Sequence, residues 1–204
     1  MRVTLEPELP TDSADYDVIT KGVELSANIE GLTCEIGFRR GGGSKYIIDA
    51  LHSLGLKKTH IAVDPFGNIE YPEGNRVIRC DYTNTMRDEA MVEMYLYCRR
   101  MEQNFIFFNL EDTEFFKRFS DGVPVYSEHK EVLNLYSFIH LDGPHTVPAL
   151  HEEINFFHDR TNAGAVMVFD DVKLYDHNTI HKYLKELGWE IQLTSDRKWC
   201  YSKQ

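Results

Sequence analysis

Apolar residues recur in two rhythms along this chain, and the rhythms alternate. Short apolar runs, dense in β-branched and aromatic residues, occur at 32–37 (LTCEIG), 59–64 (THIAVD), 104–110 (NFIFFNL), 123–128 (VPVYSE), 136–142 (YSFIHLD) and 163–171 (AGAVMVFDD). Each reads as a strand. Between them the apolar positions return at helical spacing. Ile47, Ile48, Leu51 and Leu54 form one such face, stopped at Gly55. Met86, Ala90, Met94, Tyr97, Cys98 and Met101 form another behind the capping cluster TNT (83–85). Val147, Leu150, Ile154 and Phe157 mark a third, and Ile180, Tyr183, Leu184 and Leu187 a fourth that ends at Gly188. The run at 104–110 leads into EDTEFFKRF (111–119), where helix and strand compete. WEIQLTS and KWCYSK, flanking Asp196 and Arg197, read as a closing antiparallel pair. Residues 1–21 are polar and punctuated by proline, so they read as an arm, and KGVELSANIE (21–30) as a short cap helix near the mouth of the fold.

Strands alternating with helices predict an α/β fold: a mainly parallel central sheet, helices on both faces, and an antiparallel pair at the C-terminus. The expected organisation is an N-terminal arm and cap helix (1–31) followed by a single domain (32–204). The long aromatic stretch 65–122 (Phe66, Tyr71, Tyr82, Tyr95, Tyr97, Phe105, Phe107, Phe108) is a candidate lid or insertion, although such aromatics are more often plain core. In sheets of this kind ligands sit beyond the carboxyl ends of the strands. Three predicted strands end in acid there: at Asp64, at Asp142, and at Asp170 with Asp171.

Charge and cysteine usage narrow the partners. A formal charge of −11 over 204 residues argues against a general nucleic-acid binder, which needs a basic footprint. Cys34, Cys80, Cys98 and Cys200 are widely spaced, which suits reduced thiols better than a disulfide frame or a zinc site. No run has the apolar length of a signal peptide or a membrane span. The expectation is a cytoplasmic protein with a small-molecule partner and no nucleic acid or membrane, with room for a homo-oligomer.

The stretch CEIGFRRGGGSK (34–45) carries the first candidate chemistry. A phosphate loop of the form G-x-x-x-x-G-K-[ST], counted from Gly37, would need lysine where Gly43 stands. A dinucleotide fingerprint G-x-G-x-x-G would need glycine where Arg39 stands, and that glycine normally admits the pyrophosphate. S-adenosylmethionine carries no phosphate, so the loop need only make room for a methionine tail and a ribose. Gly37 permits the turn, the helix N-terminus near Gly43 and Ser44 can face the cofactor carboxylate, and Asp64 can accept from both ribose hydroxyls. A glycine-rich turn with no ligand is the plain alternative.

The second candidate is the acidic rim. Clustered carboxylates repel unless a cation joins them, and all-oxygen ligands suit Mg²⁺, Mn²⁺ or Ca²⁺. Capping of the adjoining turns is the plain alternative for any one of them. HLDGPH (140–145), with FDDV (169–172) further along, resembles the TylF/MycE-like group of class I methyltransferases, which includes macrolide and aminocoumarin sugar O-methyltransferases. The ordered motifs span about residues 32–175. The resemblance implies a Rossmann-like class I methyltransferase fold, S-adenosylmethionine held by residues matching Glu35, Gly37, Gly43, Ser44, Asp64 and Asp142, and a divalent ion such as Mg²⁺ held by Asp142, Asp170 and Asp171. It places a base at His145, beside Asp142, and an adenine contact after the third strand, at Ser127 or Glu128. The chain departs from the pattern in a longer glycine loop, and in Val147 and Pro148 where an aromatic usually comes after D-G-x-H.

The implied reaction is O-methylation of a small-molecule hydroxyl, such as a sugar's. The ion would lower the hydroxyl pKa, His145 would take the proton, and the protein would align the two reactants. The bland reading of His145 is a turn histidine touching solvent. His140-Leu-Asp142 also matches the H-x-D of iron oxygenases, but that chemistry usually sits on an antiparallel β-helix, and His140 reads better as a strand residue facing a helix. An NAD-binding oxidoreductase and a non-catalytic S-adenosylmethionine-binding protein on the same fold are the remaining rivals.

Overall fold

The computed structural model describes residues 9–11, 13–67, 70–73, 76–79 and 82–204. The elements run α1 (Tyr16–Leu25), β1 (Leu32–Ile36), α2 (Gly42–Ser53), β2 (His60–Val63), β3 (Glu70–Glu73), β4 (Arg76–Arg79), α3 (Asn84–Met101), β5 (Phe105–Phe108), α4 (Asp112–Arg118), β6 (Val123–Tyr126), β7 (Lys130–Leu133), β8 (Tyr136–Leu141), α5 (Val147–His158), β9 (Val166–Phe169), α6 (His177–Glu186), β10 (Trp189–Thr194) and β11 (Trp199–Lys203). Seven strands form one sheet in the order β10-β11-β9-β8-β1-β2-β5, and β3-β4 and β6-β7 are separate hairpins. Strands β5, β2, β1, β8 and β9 are mutually parallel. β11 joins them antiparallel to β9, and β10 pairs antiparallel with β11. The chain is therefore a Rossmann-like α/β sheet with a C-terminal antiparallel pair, as the alternation predicts.

Each central strand is buried on both faces, so its alternate residues serve two cores. Cys34, Ile36, Ile61, Val63, Ile139 and Leu141 pack toward Leu150, Ile154, Phe157, Ile180 and Leu184 of α5 and α6. On the opposite face Phe138, Val166 and Val168 meet Val18, Ile19, Ile47 and Leu51 of α1 and α2, while Ile48, Ala62 and Phe105 meet Met86, Ala90, Met94 and Cys98 beneath α3. Fully burying one such side chain contributes about 1.5–3 kcal/mol, so these two layers hold the sheet's strand ends in place.

Three sequence expectations change. The first helix starts at Tyr16, ahead of the expected 21–30, because Val18, Ile19, Gly22 and Val23 form its buried stripe while Leu25 is exposed. Gly22 lets it lie against the sheet: a Cβ there would stand 2.6 Å from the Phe138 ring. Helix α1 is thus part of the main body. Within 65–122, β5 is an edge strand of the sheet and α3 covers α2, so 84–108 is integral structure rather than a lid. VPVYSE forms a strand, but in a hairpin with β7, since its Tyr126 is exposed and its partner strand is largely exposed too. Cys34, Cys98 and Cys200 are buried free thiols, and Cys80 lies outside the described residues. Among the described residues, no helix is long and apolar enough to cross a membrane.

Candidate active site

The sheet reverses its winding between β1 and β8, and a crevice opens where their carboxyl ends part. A cavity of about 560 Å³ fills that crevice, a size suited to a small-molecule ligand. Its wall is built from the residues that leave each strand: Gly37 to Arg39 after β1, Asp64 and Pro65 after β2, Glu111 to Thr113 after β5, Asp142 to Thr146 after β8, and Asp171 after β9. Ser13 and Tyr16 close it from the N-terminal segment, and Arg197 from the turn before β11.

The glycine loop owes its shape to two contacts. Gly37 adopts φ 89°, and a Cβ there would overlap the carbonyl oxygen of Asp142. The same seam is closed by the Asp142 amide donating to the Ile36 carbonyl, 2.9 Å. Gly43 sits under Glu35, since a Cβ there would overlap Glu35 Oε1. Asp64, buried at the end of β2, accepts from the amides of Arg39 (2.8 Å) and Phe66 (3.1 Å). It therefore pins the loop to β2, and each oxygen keeps a second lone pair. Burial pushes its carboxyl up to about 6 against the pull of those amides.

Ser44 does not face the cavity. Its hydroxyl is buried, donates to Glu35, and lies 2.8 Å from His60 Nε2. The reason is register: Glu35 and His140 are paired on adjacent strands and point to the α2 side. Glu35 Oε1 meets His140 Nδ1 at 2.9 Å, and Thr33 and His60 repeat the pattern one step along, 3.0 Å apart. A polar seam thus runs under the loop. His140 is a strand residue, as expected, yet it also lines the cavity. Burial opposes protonation of its ring, but Glu35 beside it, together with Asp142 and Asp170, outweighs burial and raises its pKa.

Asp142, Asp170 and Asp171 converge as the motif order implies, each against a basic group. His145 Nε2 lies 3.2 Å from Asp142 Oδ1. Lys198 Nζ lies 2.8 Å from Asp170 Oδ2, and the Arg197 guanidinium bonds Asp171. Burial and the charge of Asp170 push Asp142 up to about 6. Burial opposes protonation of His145, but Asp142, then Asp171 and Asp170, outweigh it and raise its pKa. Asp170 stays below its ordinary value because His140 and Lys198 outweigh its burial.

Among the described residues, two donor sets of metal-ligating type, His140-Asp142-Asp170 and Asp142-His145-Asp171, each lie within 4.8 Å. A divalent ion nevertheless fits poorly, because Lys198 and Arg197 already neutralise two of the three carboxylates that the motif assigned to it.

Backbone strain marks the same rim. Arg39, His145 and Asp171, at φ 47°, 49° and 49°, are non-glycine residues in the left-handed region, and all three line the cavity. Each such residue costs about 1–2 kcal/mol, and strain of this kind clusters at functional sites.

No family model and no curated protein matches the sequence. Solved structures do match. An O-methyltransferase from Bacillus cereus in complex with SAH aligns with TM-score 0.63 at 10% identity, covering 96% of this chain and 84% of that one. CalS11, a TDP-rhamnose 3′-O-methyltransferase of calicheamicin biosynthesis, aligns with TM-score 0.56 at 10% identity, covering 92% and 78%. A precorrin-6y C5,15-methyltransferase from Geobacter metallireducens aligns with TM-score 0.61 at 13% identity, covering 97% and 92%. The fold is a Rossmann-like methyltransferase fold.

The third strand of the parallel series is β5, not β6, and the residues after it, Glu111, Asp112 and Thr113, line the cavity. Ser127 and Glu128 are exposed at the β6–β7 turn and do not line the cavity. Glu153 gave no signal in the sequence. It is buried on α5 behind Gly143, where burial and Asp112 hold its carboxyl well above the usual range.

Proposed function

We propose that the chain is an S-adenosylmethionine-dependent O-methyltransferase acting on a small-molecule hydroxyl, a sugar or similar acceptor. The observation that carries this reading is one cavity lined by the Gly37 loop, Asp64 and the Asp142–His145 pair. The neighbours of the same fold support the class of reaction. When bound, S-adenosylmethionine supplies an electrophilic methyl group on a sulfonium. The residues of this chain then divide the work. The Gly37 loop and the amides at the start of α2 make room for the methionine tail, and Asp64 accepts from the ribose. His145 takes the acceptor proton at Nδ1, the ring nitrogen away from Asp142, while Asp142 steadies the imidazolium through Nε2. Ser13 and Tyr16 reduce water access above the acceptor.

Thermal shift tests the reading. S-adenosylhomocysteine (SAH) should raise the Tm, because a ligand at a hundredfold over its Kd adds about 2.7 kcal/mol. NAD should leave it unchanged. A shift with NAD alone would restore the dinucleotide reading, and SAH binding without turnover over a broad hydroxyl panel would favour a non-catalytic binder.

A pH dependence tests the role of Asp64. Below about pH 6 the free protein carries a proton on Asp64, which the ribose-bound carboxylate must release. SAH affinity should therefore weaken as pH falls through about 6, by up to about tenfold per unit. Asp64→Asn should bind about 10–150-fold more weakly at neutral pH, the loss of a charged hydrogen bond, and its affinity should be flatter with pH. Calorimetry reads both, and wild-type affinity retained by the variant would place the ribose elsewhere.

A further inference from the structure

Lys198 is fully buried, at 0% exposure, just before β11. A buried ammonium persists only where it is paired and its donors are satisfied. Its Nζ meets Asp170 Oδ2 at 2.8 Å, Ser13 Oγ at 2.9 Å and the Ala14 carbonyl at 2.7 Å. Those partners account for all three donors of an ammonium. Beside it the Arg197 guanidinium bonds Asp171, and its Nε lies 3.8 Å from Asp170 Oδ1.

We propose that Lys198, backed by Arg197, takes the place of a divalent ion at this rim, so that the site neutralises its carboxylates from within and works without a metal. An ion on Asp170 would compete with the ammonium for the same oxygen and would be repelled by it. Displacing Lys198 would also remove the donor to the Ala14 carbonyl and leave Ser13 Oγ with Asp170 alone, at 3.4 Å. That would loosen the N-terminal segment, whose Asp15 accepts from the Arg197 amide at 3.0 Å. The cost of ion binding is therefore spread over the cavity wall.

The same substitution bears on the acceptor, and that part rests on the methyltransferase reading. A rim-bound ion would select acceptors offering two adjacent oxygens to chelate it. A rim closed by an ammonium and a guanidinium imposes no such demand. The acceptor class is then a hydroxyl that needs no neighbouring oxygen, with His145 as its base.

Manganese titration of the wild-type protein, with and without SAH, is the test, read by the paramagnetic resonance of free Mn²⁺. The free signal should track added Mn²⁺ with no saturable site, and SAH affinity should agree within about twofold in EDTA and in excess Mg²⁺. A saturable Mn²⁺ site that disappears in Asp170→Asn would overturn the proposal. Lys198→Met removes the charge and leaves Asp170 free. It should gain Mn²⁺ affinity at least about tenfold over wild type, with Mn²⁺ raising its Tm. A folded Lys198→Met that gains none would also overturn the proposal, since the freed acids would then hold no ion. If that variant does not fold, the wild-type titration decides alone. Failure of SAH to bind would sink the methyltransferase reading and the acceptor class while leaving the manganese result intact.

Discussion

His145→Asn should lower the rate of methyl transfer by roughly 10²–10⁴-fold, the usual contribution of a positioned general base, and should leave SAH affinity nearly unchanged. Asparagine is the right replacement because His145 sits at φ 49°. Asn tolerates the left-handed region better than other non-glycine residues, so the turn into α5 should survive, but an amide cannot take a proton. The wild-type pH profile carries the same information. Asp142, with Asp171 and Asp170, raises the His145 pKa against its burial, and the ring acts as a base only when neutral. Activity should therefore fall on the acid side at a pH above the ordinary imidazole value of about 6.5, and Asp142→Asn should move that limb downward. A rate within a few-fold of wild type in His145→Asn would mean that the acceptor loses its proton to another group. Loss of SAH binding in the same variant would mean that the turn, not the imidazole, is what matters.

Gly37→Ala should destabilise the protein by roughly 2–5 kcal/mol, combining a left-handed alanine with a clash against backbone. Gly37 adopts φ 89°, and its new Cβ would overlap the Asp142 carbonyl oxygen and stand 2.6 Å from the carbonyl carbon. Neither partner is the end of a flexible side chain, so the β1–β8 seam itself must shift. At about 2–4 °C per kcal/mol for a chain of this size, the Tm should fall by roughly 4–20 °C. Gly55→Ala is the internal control. Gly55 is also left-handed, at φ 66°, but nothing lies within 4 Å of its added Cβ, so it should cost only the left-handed backbone, about 1–2 kcal/mol. Equal melting temperatures for the two variants would show that the close approach at Gly37 is not a constraint. Because Asp142 sits on the far side of that seam, a folded Gly37→Ala should also lose the raised pKa of His145.

The alternation of 32–37, 59–64, 136–142 and 163–171 with helical faces was enough to predict a mainly parallel sheet. Burial on both faces makes each central strand a short continuous apolar run, and that is visible without coordinates. The same local logic put Asp64, Asp142, Asp170 and Asp171 on one rim, because residues at the carboxyl ends of parallel strands must share an edge. The Asp142–His145 pair was legible for a related reason: its members lie three residues apart along the chain. Pairings between distant segments were not legible. Glu35 with His140 depends on the β1–β8 register, and Asp170 with Lys198 depends on β11 inserting antiparallel beside β9. Ser13 and Tyr16 reach the cavity only because α1 packs on α2 and β9. Periodicity reports which face of an element is buried; it carries no information on which distant side chain will stand opposite. So the amino-acid sequence by itself determined the layers and the acidic ends of the strands, where the cause is local. Only the tertiary structure decided which charges meet at the rim, because a lysine far along the chain reaches Asp170 through strand order alone.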